Sequence, residues 1–322
     1  MSLFERLRWL GRGFHSDSVV LYGLRNGDFH DYLSDYGRFS SASINEPYKV
    51  ILDNKLAFRG FMGMYVRVPE NVCLLTRNRI APCLDDPRID GADSLLRYAR
   101  EHGGIVLKPL ASDGGKDILI VRWLDGVWYV NGDKFAEDAL RARIRGLTGM
   151  VGTEYVTQGE FPASLFADST NTMRIVTMID PDTQRAFVPF AAYRIGTRAS
   201  APVDNWRRGG ISAGIDVETG RMTAGCLCAR DGTVMWYDSH PDSGAALAGA
   251  EVPGWTNVCN AVRDVADRFP ILPLVGWDVL LTHEGFCVIE GNSWMGVGVV
   301  QVHSPFLRDP RVRAFYEHHG II

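Results

Sequence analysis

The chain has 322 residues, 46% of them hydrophobic and 22% charged, and a formal net charge of −4. This balance is globular, and it excludes a disordered tail, a collagen-like repeat and a disulfide knot; a weakly acidic chain is a poor bulk binder of polyanions such as nucleic acid, with room for a local basic pocket for a phosphorylated ligand. At roughly 100–200 residues per domain, the length suggests about two domains.

The six cysteines, Cys73, Cys83, Cys226, Cys228, Cys259 and Cys287, form no CxxC pair and have no histidine cluster beside them. A structural zinc site is not expected, and scattered thiols suit a reducing cytoplasm. The opening MSLFERLRWLGRGF is interrupted by charge and lacks the apolar stretch of a signal peptide. No run of about 20 apolar residues occurs, so no spanning helix is expected. The same segment reads as a short basic amphipathic helix with Leu3, Phe4, Leu7 and Leu10 on one side. It is taken as a packing helix, with a membrane-surface anchor as the alternative.

In chain order, residues 1–100 read as mostly helical with loops. Residues 47–61 are loosely helical, and residues 92–102 form a helix stopped by Gly103-Gly104. Strands follow at 105–107, 118–122 and 127–130, the last two joined at Asp125-Gly126, a strong hairpin signal. A helix over 134–145 precedes a strand at 152–157. Strands at 172–180, 186–195, 211–217, 275–281 and 286–291, with a helix near 256–269, complete an α+β pattern.

Four segments could carry chemistry. In IVLKPLASDGGKDILI (105–120), a strand delivers Lys108 into a flexible loop, Ser112 to Gly115, that ends at Lys116. Such a loop brings backbone N–H groups close to an anion, although a hairpin with exposed lysines would read the same way. In GWDVLLTHEGFCVIEGN (276–292), a three-residue loop at His283-Glu284-Gly285 would set Asp278 opposite Glu290, with Asn292 on the same face. Two carboxylates that close repel unless a cation separates them, and oxygen-only ligands suit Mg²⁺. Arg174 and Arg194 each lie in an apolar strand, where a charge needs a partner or a ligand. The stretch Arg207-Arg208-Gly209-Gly210 is basic and flexible, and alone it reads as a solvated turn. His303 reads as a loop histidine, with contact to an acceptor as the alternative.

Taken in order, these segments resemble the ATP-grasp superfamily, and most closely its sugar-transfer-associated branch. The likeness rests on LDNK (52–55), IVLKPLASDGGKDILIV (105–121), TEYV (153–156), STNTMRIVTMID (169–180), NWRRGGISAGIDVETG (205–220) and the 276–292 segment, and it spans residues 45–305. It implies two α+β lobes clasping ATP, divided as a helical region at 1–100, a small lobe at 101–157 and a large lobe at 158–322. It also implies roles. Lys55 and Lys108 would hold the nucleotide phosphates, and Ser112, Asp113, Gly114, Gly115 and Lys116 would form the covering loop. Glu154, Tyr155 and Val156 would be the adenine hinge, with Glu160 nearest to a ribose-binding acid. Arg174, with Lys108 and Arg194, would steady the transition state. Asp278, Glu290 and Asn292 would hold Mg²⁺, two ions in the family pattern, with Mn²⁺ as the alternative. The implied activity is an ADP-forming carboxylate–amine ligase working through an acyl phosphate, on a glycan precursor, amino acid or peptide-like product. The alternatives are a kinase on the same scaffold and a non-catalytic nucleotide-binding module. Small-molecule substrates are implied as partners, and the resemblance allows a homodimer.

Overall fold

In the computed structural model, which describes residues 1–77, 79–83, 89–110, 117–228 and 232–322, two seven-stranded sheets organise the chain. The strands are β1 (Asn71–Thr76), β2 (Arg79–Pro82), β3 (Gly104–Pro109), β4 (Leu119–Leu124), β5 (Val127–Val130), β6 (Asp133–Phe135) and β7 (Met150–Glu154) in the first sheet. The second holds β8 (Thr172–Ile179), β9 (Ala186–Ile195), β10 (Ile211–Ile215), β11 (Met222–Cys228), β12 (Val234–Tyr237), β13 (Leu274–Thr282) and β14 (Gly285–Asn292). Two compact units result: residues 50–157 with 287–290, and residues 1–49 with 158–286 and 291–322.

The first sheet has the order β2-β1-β7-β3-β4-β5-β6. One face is sealed by the helices Ala92–Glu101 and Glu137–Arg145, whose Leu95, Ala99, Leu140 and Ile144 pack on Ile105, Leu107, Val121 and Trp128. Because side chains alternate along a strand, Ile105 and Leu107 of β3 enter this core and Lys108 points to the opposite face. The β4–β5 turn is Asp125-Gly126, as the sequence predicts. Both residues have positive φ, 48° and 79°, and Leu124 pairs with Val127. This is the left-handed pair that a tight hairpin requires.

The sequence reading missed β1, β2, β6, β11 and β12, and the first two lie inside the stretch read as helical. β1 is buried at four of its first five positions, so NVCLL has no period-2 alternation to separate it from a buried helical turn.

The second sheet has the order β12-β11-β10-β9-β8-β13-β14. β8 is buried along its whole length, Thr172, Arg174 and Thr177 included. The helix Trp255–Arg268 presents Trp255, Val258, Val262 and Val265 at helical spacing and packs on β8 and β9. A core built from Val176, Met178 and Ala192 is closed by Met295, Val297, Val299, Phe306 and Phe315. The N-terminal residues tie into the same unit: Asn45 Nδ2 donates to the carbonyls of Leu274 (2.7 Å) and Ser293 (2.9 Å). Gln301 exchanges hydrogen bonds with the Leu33 backbone, at 2.8 and 3.0 Å.

The turn before β14 differs from expectation. β13 ends at Thr282 and β14 starts at Gly285, so two residues, His283 and Glu284, form the loop instead of three. Gly285, at φ 136°, is the first residue of β14. Its missing Cβ lets the strand begin one residue earlier.

Candidate functional site

Two clusters of buried charge stand out, one in each unit. In the first unit, Asn54 caps the helix Lys55–Met62 by accepting from Leu56 and Ala57 N–H. The N–H of Lys55 donates to the carbonyl of Leu110 (3.1 Å), just beyond β3. The helix start is thereby tied to the strand that carries Lys108. Both lysines are nearly inaccessible, Lys55 at 9% and Lys108 at 8% exposure. The Nζ of Lys55 lies 3.3 Å from Glu290 Oε2. Burial pushes the Lys108 ammonium down to about 8; Glu290 partly offsets this and Lys55 adds to it. Among the described residues two lysines thus face one carboxylate, and the site carries a surplus positive charge with both ammonium groups largely buried. A surplus buried charge is costly until a counter-charge arrives, so the site is built for an anion.

Beside it, Glu154 ends β7. Its Oε1 accepts from Arg67 Nη2 (3.1 Å) and its Oε2 accepts from the Glu70 N–H (3.2 Å). The Glu154 N–H donates to the Glu70 carbonyl (3.0 Å) and is therefore not available to a nucleotide base. The Arg122 guanidinium sits over the Tyr155 ring at 4.7 Å, and Val156 is buried. The expected covering loop, Ser112, Asp113, Gly114, Gly115 and Lys116, lies outside the described residues.

In the second unit the register sets Asp278 of β13 directly across from Arg174 of β8, and Thr172 across from Arg194 of β9. Arg174 Nε donates to Asp278 Oδ1 at 2.6 Å, and Arg194 Nη2 lies 3.0 Å from Asp278 Oδ2. Arg194 Nη2 also donates to Thr172 Oγ1 (2.6 Å), and its Nε is 3.4 Å from Asp204. Asp204 accepts from the Thr172 N–H at 2.9 Å, and burial raises its carboxyl above the usual carboxylate range. Asp278 is only 2% exposed, so this is a buried ionic network. The sequence reading named both arginines and Asp278 but missed Asp204 and Thr172. Asp204 sits in a loop 32 residues from its partner, and no sequence period links the two.

The donor set bears on the metal that the resemblance implies. Both oxygens of Asp278 are engaged by guanidinium groups, Glu290 is paired with Lys55, and Asn292 Nδ2 donates to the Gly276 carbonyl at 3.0 Å. Among the described residues no group of three or more His, Cys, Asp or Glu could hold a metal. Asp278 is thus fully engaged by the two arginines, whereas Asn292 keeps its Oδ1 and Glu290 its second oxygen for a cation. The phosphates of a nucleotide fit the lysine pair, whose charge is in surplus.

The remaining candidates are simpler. Glu160 is the exposed first residue of the helix Glu160–Leu165. Arg207 and Arg208 are exposed on a short turn that ends at Gly209, φ 99°. His303 has Nε2 3.0 Å from Ser212 Oγ and Nδ1 3.3 Å from Thr223 Oγ1, and burial lowers its pKa to about 4. It is half-buried in the turn that follows the helix Gly298–Gln301, a loop position as the sequence reading expected. No disulfide joins the six cysteines.

Gly276 admits the Arg174 side chain. A Cβ there would stand 2.8 Å from Met295 Cβ and 3.3 Å from Arg174 Cδ. Gly276→Ala is expected to cost about 1–3 kcal/mol by overpacking, read as a lowered denaturation midpoint. An unchanged midpoint would show that Met295 and Arg174 have room to move.

A sequence profile described as sugar-transfer associated ATP-grasp matches residues 38–310. No curated protein matches the chain. Similar solved structures include a RiPP-associated ATP-grasp ligase from Chryseobacterium gregarium, in complex with ADP and a leader and core peptide. It is 13% identical with a TM-score of 0.39, over 77% of this chain and 54% of that one. Another is the ADP complex of N5-carboxyaminoimidazole ribonucleotide synthetase, 9% identical with a TM-score of 0.42, over 77% and 46%. A third is a RimK domain ATP-grasp protein from Sphaerobacter thermophilus, 12% identical with a TM-score of 0.40, over 84% and 67%. The chain spans about half the length of the first two. With its α+β sheets and the profile match over residues 38–310, the chain belongs to the sugar-transfer associated ATP-grasp family.

Proposed function

We propose that the chain is an ATP-dependent, ADP-forming carboxylate–amine ligase. The observation that carries this reading is the buried pair Lys55 and Lys108, which among the described residues faces the carboxylate of Glu290. The lysines would bind the nucleotide phosphates, and the backbone of Tyr155 and Val156 would face the base, since the Glu154 N–H is already engaged by Glu70. When bound, ATP supplies the phosphoryl group that turns a carboxylate into an acyl phosphate. Arg174 and Arg194, held by Asp278 and Asp204, would orient the anionic acceptor and offset the charge that builds on its oxygens. An incoming amine nitrogen then bonds to the acyl carbon, phosphate leaves, and the nitrogen loses a proton.

The test is turnover of ATP, supplied as its magnesium complex, with pairs of sugar acids, amino acids and amines. ADP and free phosphate are read separately, with mass spectrometry of products. The expected result is ADP and phosphate rising together, with a condensed mass that requires both partners. ADP without phosphate, and an acceptor carrying a new phosphoryl group, would replace the ligase by a kinase.

A further inference from the structure

The N-terminal helix does not pack as its sequence suggests. Leu3–Leu10 is fixed by a capping box, with the Ser2 hydroxyl accepting from Glu5 N–H and the Glu5 carboxylate from Ser2 N–H. Its apolar side nonetheless faces outward: Leu3 is 74% exposed, Phe4 79%, Leu7 59% and Leu10 52%. The helix is held instead through Trp9, its one buried residue. Trp9 meets the rings of Phe14 and Phe29 edge-on at 6.2 and 5.9 Å, and Arg12 lies over Trp9 at 5.0 Å.

The angular order around the helix gives this exposure a direction. At about 100° per residue, Leu10, Leu3, Leu7 and Phe4 fill one arc of about 120°. Arg6 falls just beyond one edge of that arc and Arg8 just beyond the other, while Trp9 and Glu5 lie on the far side. Arg6 and Arg8 are exposed, and among the described residues neither has an acidic partner. The acid on the helix, Glu5, is turned away and lies 3.6 Å from Arg25. An apolar arc bordered on both edges by cations matches a surface that is apolar below and anionic at its rim.

We propose that this helix docks the protein on an anionic lipid surface, with Leu3, Phe4, Leu7 and Leu10 entering the acyl boundary and Arg6 and Arg8 reaching headgroup phosphates. The inference stands apart from the proposed activity. A second copy of the chain fits less well. The helix is about 12 Å long, and four side chains along it fall short of the roughly 800 Å² per partner of a stable interface. Facing arginines would also repel. No helix among the described residues is long and apolar enough to cross a membrane, so the docking is interfacial.

The test is flotation of the full chain with phosphatidylcholine vesicles, with and without about 30% phosphatidylglycerol, at low and high salt. Binding to the anionic vesicles is expected, at least about tenfold weaker on the neutral ones and weakened by salt. The Phe4→Asp/Leu7→Asp and Arg6→Glu/Arg8→Glu variants should each lose at least about tenfold in partitioning. These side chains face solvent, so circular dichroism and the thermal midpoint should not change. The proposal is overturned if the parent chain ignores anionic vesicles at about 1 mM lipid, or if the Phe4/Leu7 variant binds as well as the parent. A dimer in sedimentation that Phe4→Asp dissolves would also overturn it, assigning the stripe to a second copy.

Discussion

Lys108→Met should lower kcat/KM for ATP by at least about 10²–10³-fold while leaving the fold intact. Lys108 lies on the non-core face of β3, so methionine can replace its stem without entering the Ile105–Leu107 core. The loss should come from binding and orienting the phosphates, because the variant removes the surplus charge that defines the site. Lys108→Arg should retain part of the activity. The pH dependence follows from the position of the ammonium near 8, set by burial against an ordinary 10.5. Above about pH 8 the free enzyme loses the proton on Lys108, so KM for ATP should rise, and arginine should flatten that limb. Stability runs in the opposite sense. Between about pH 8 and 10.5 the unfolded chain binds more protons at this residue than the folded one. The contribution of Lys108 to stability therefore increases as pH rises through that window, and the unfavourable burial of its charge is complete below it. Denaturation of parent and Lys108→Met across pH 7–10 would measure this. Equal slopes, or a variant with undiminished turnover, would remove Lys108 from the site.

The legible parts of the chain were those where local chemistry leaves one answer. Asp125-Gly126 permits a left-handed turn and little else, and the helix at Trp255–Arg268 repeats its apolar residues at unmistakable spacing. β1 was hidden because both of its faces are covered, which erases alternation. Lys108 and the two arginines were visible as charges in apolar strands, and Lys55 only through the resemblance, yet their partners were not. The sequence suggested that Asp278 faces Glu290 across a cation; it did not show that β13 also borders β8, whose Arg174 pairs with Asp278, or that Glu290 lies beside Lys55. Pairing across strands is decided by sheet order, and sheet order is a long-range property. The N-terminal stripe misled for a related reason: periodicity finds the apolar face of a helix but not what that face meets.

Asp278→Ala should lower stability by about 3–5 kcal/mol, the range for breaking a buried ion pair by removing one partner. Its carboxylate holds Arg174 at 2.6 Å and Arg194 at 3.0 Å, and it is almost wholly enclosed. Arg194 keeps Thr172 and Asp204 when Asp278 is lost, so the cost falls mainly on Arg174, buried mid-strand on β8. Two further variants separate causes. Asp278→Asn keeps the shape and removes the charge, and should still cost a large part of that energy, because a neutral amide cannot balance two guanidinium groups. The double variant Asp278→Leu/Arg174→Met replaces the pair by apolar groups of similar size. It should recover much of the stability while remaining inactive, since buried pairs are often no better than the packing that replaces them. Denaturant unfolding with an unchanged m value would report these differences as stability alone. If Asp278→Ala instead loses activity with less than about 1 kcal/mol of stability, the carboxylate is not the anchor of the arginine pair. Its part would then lie in binding a cation alongside the substrate, as the family pattern implied.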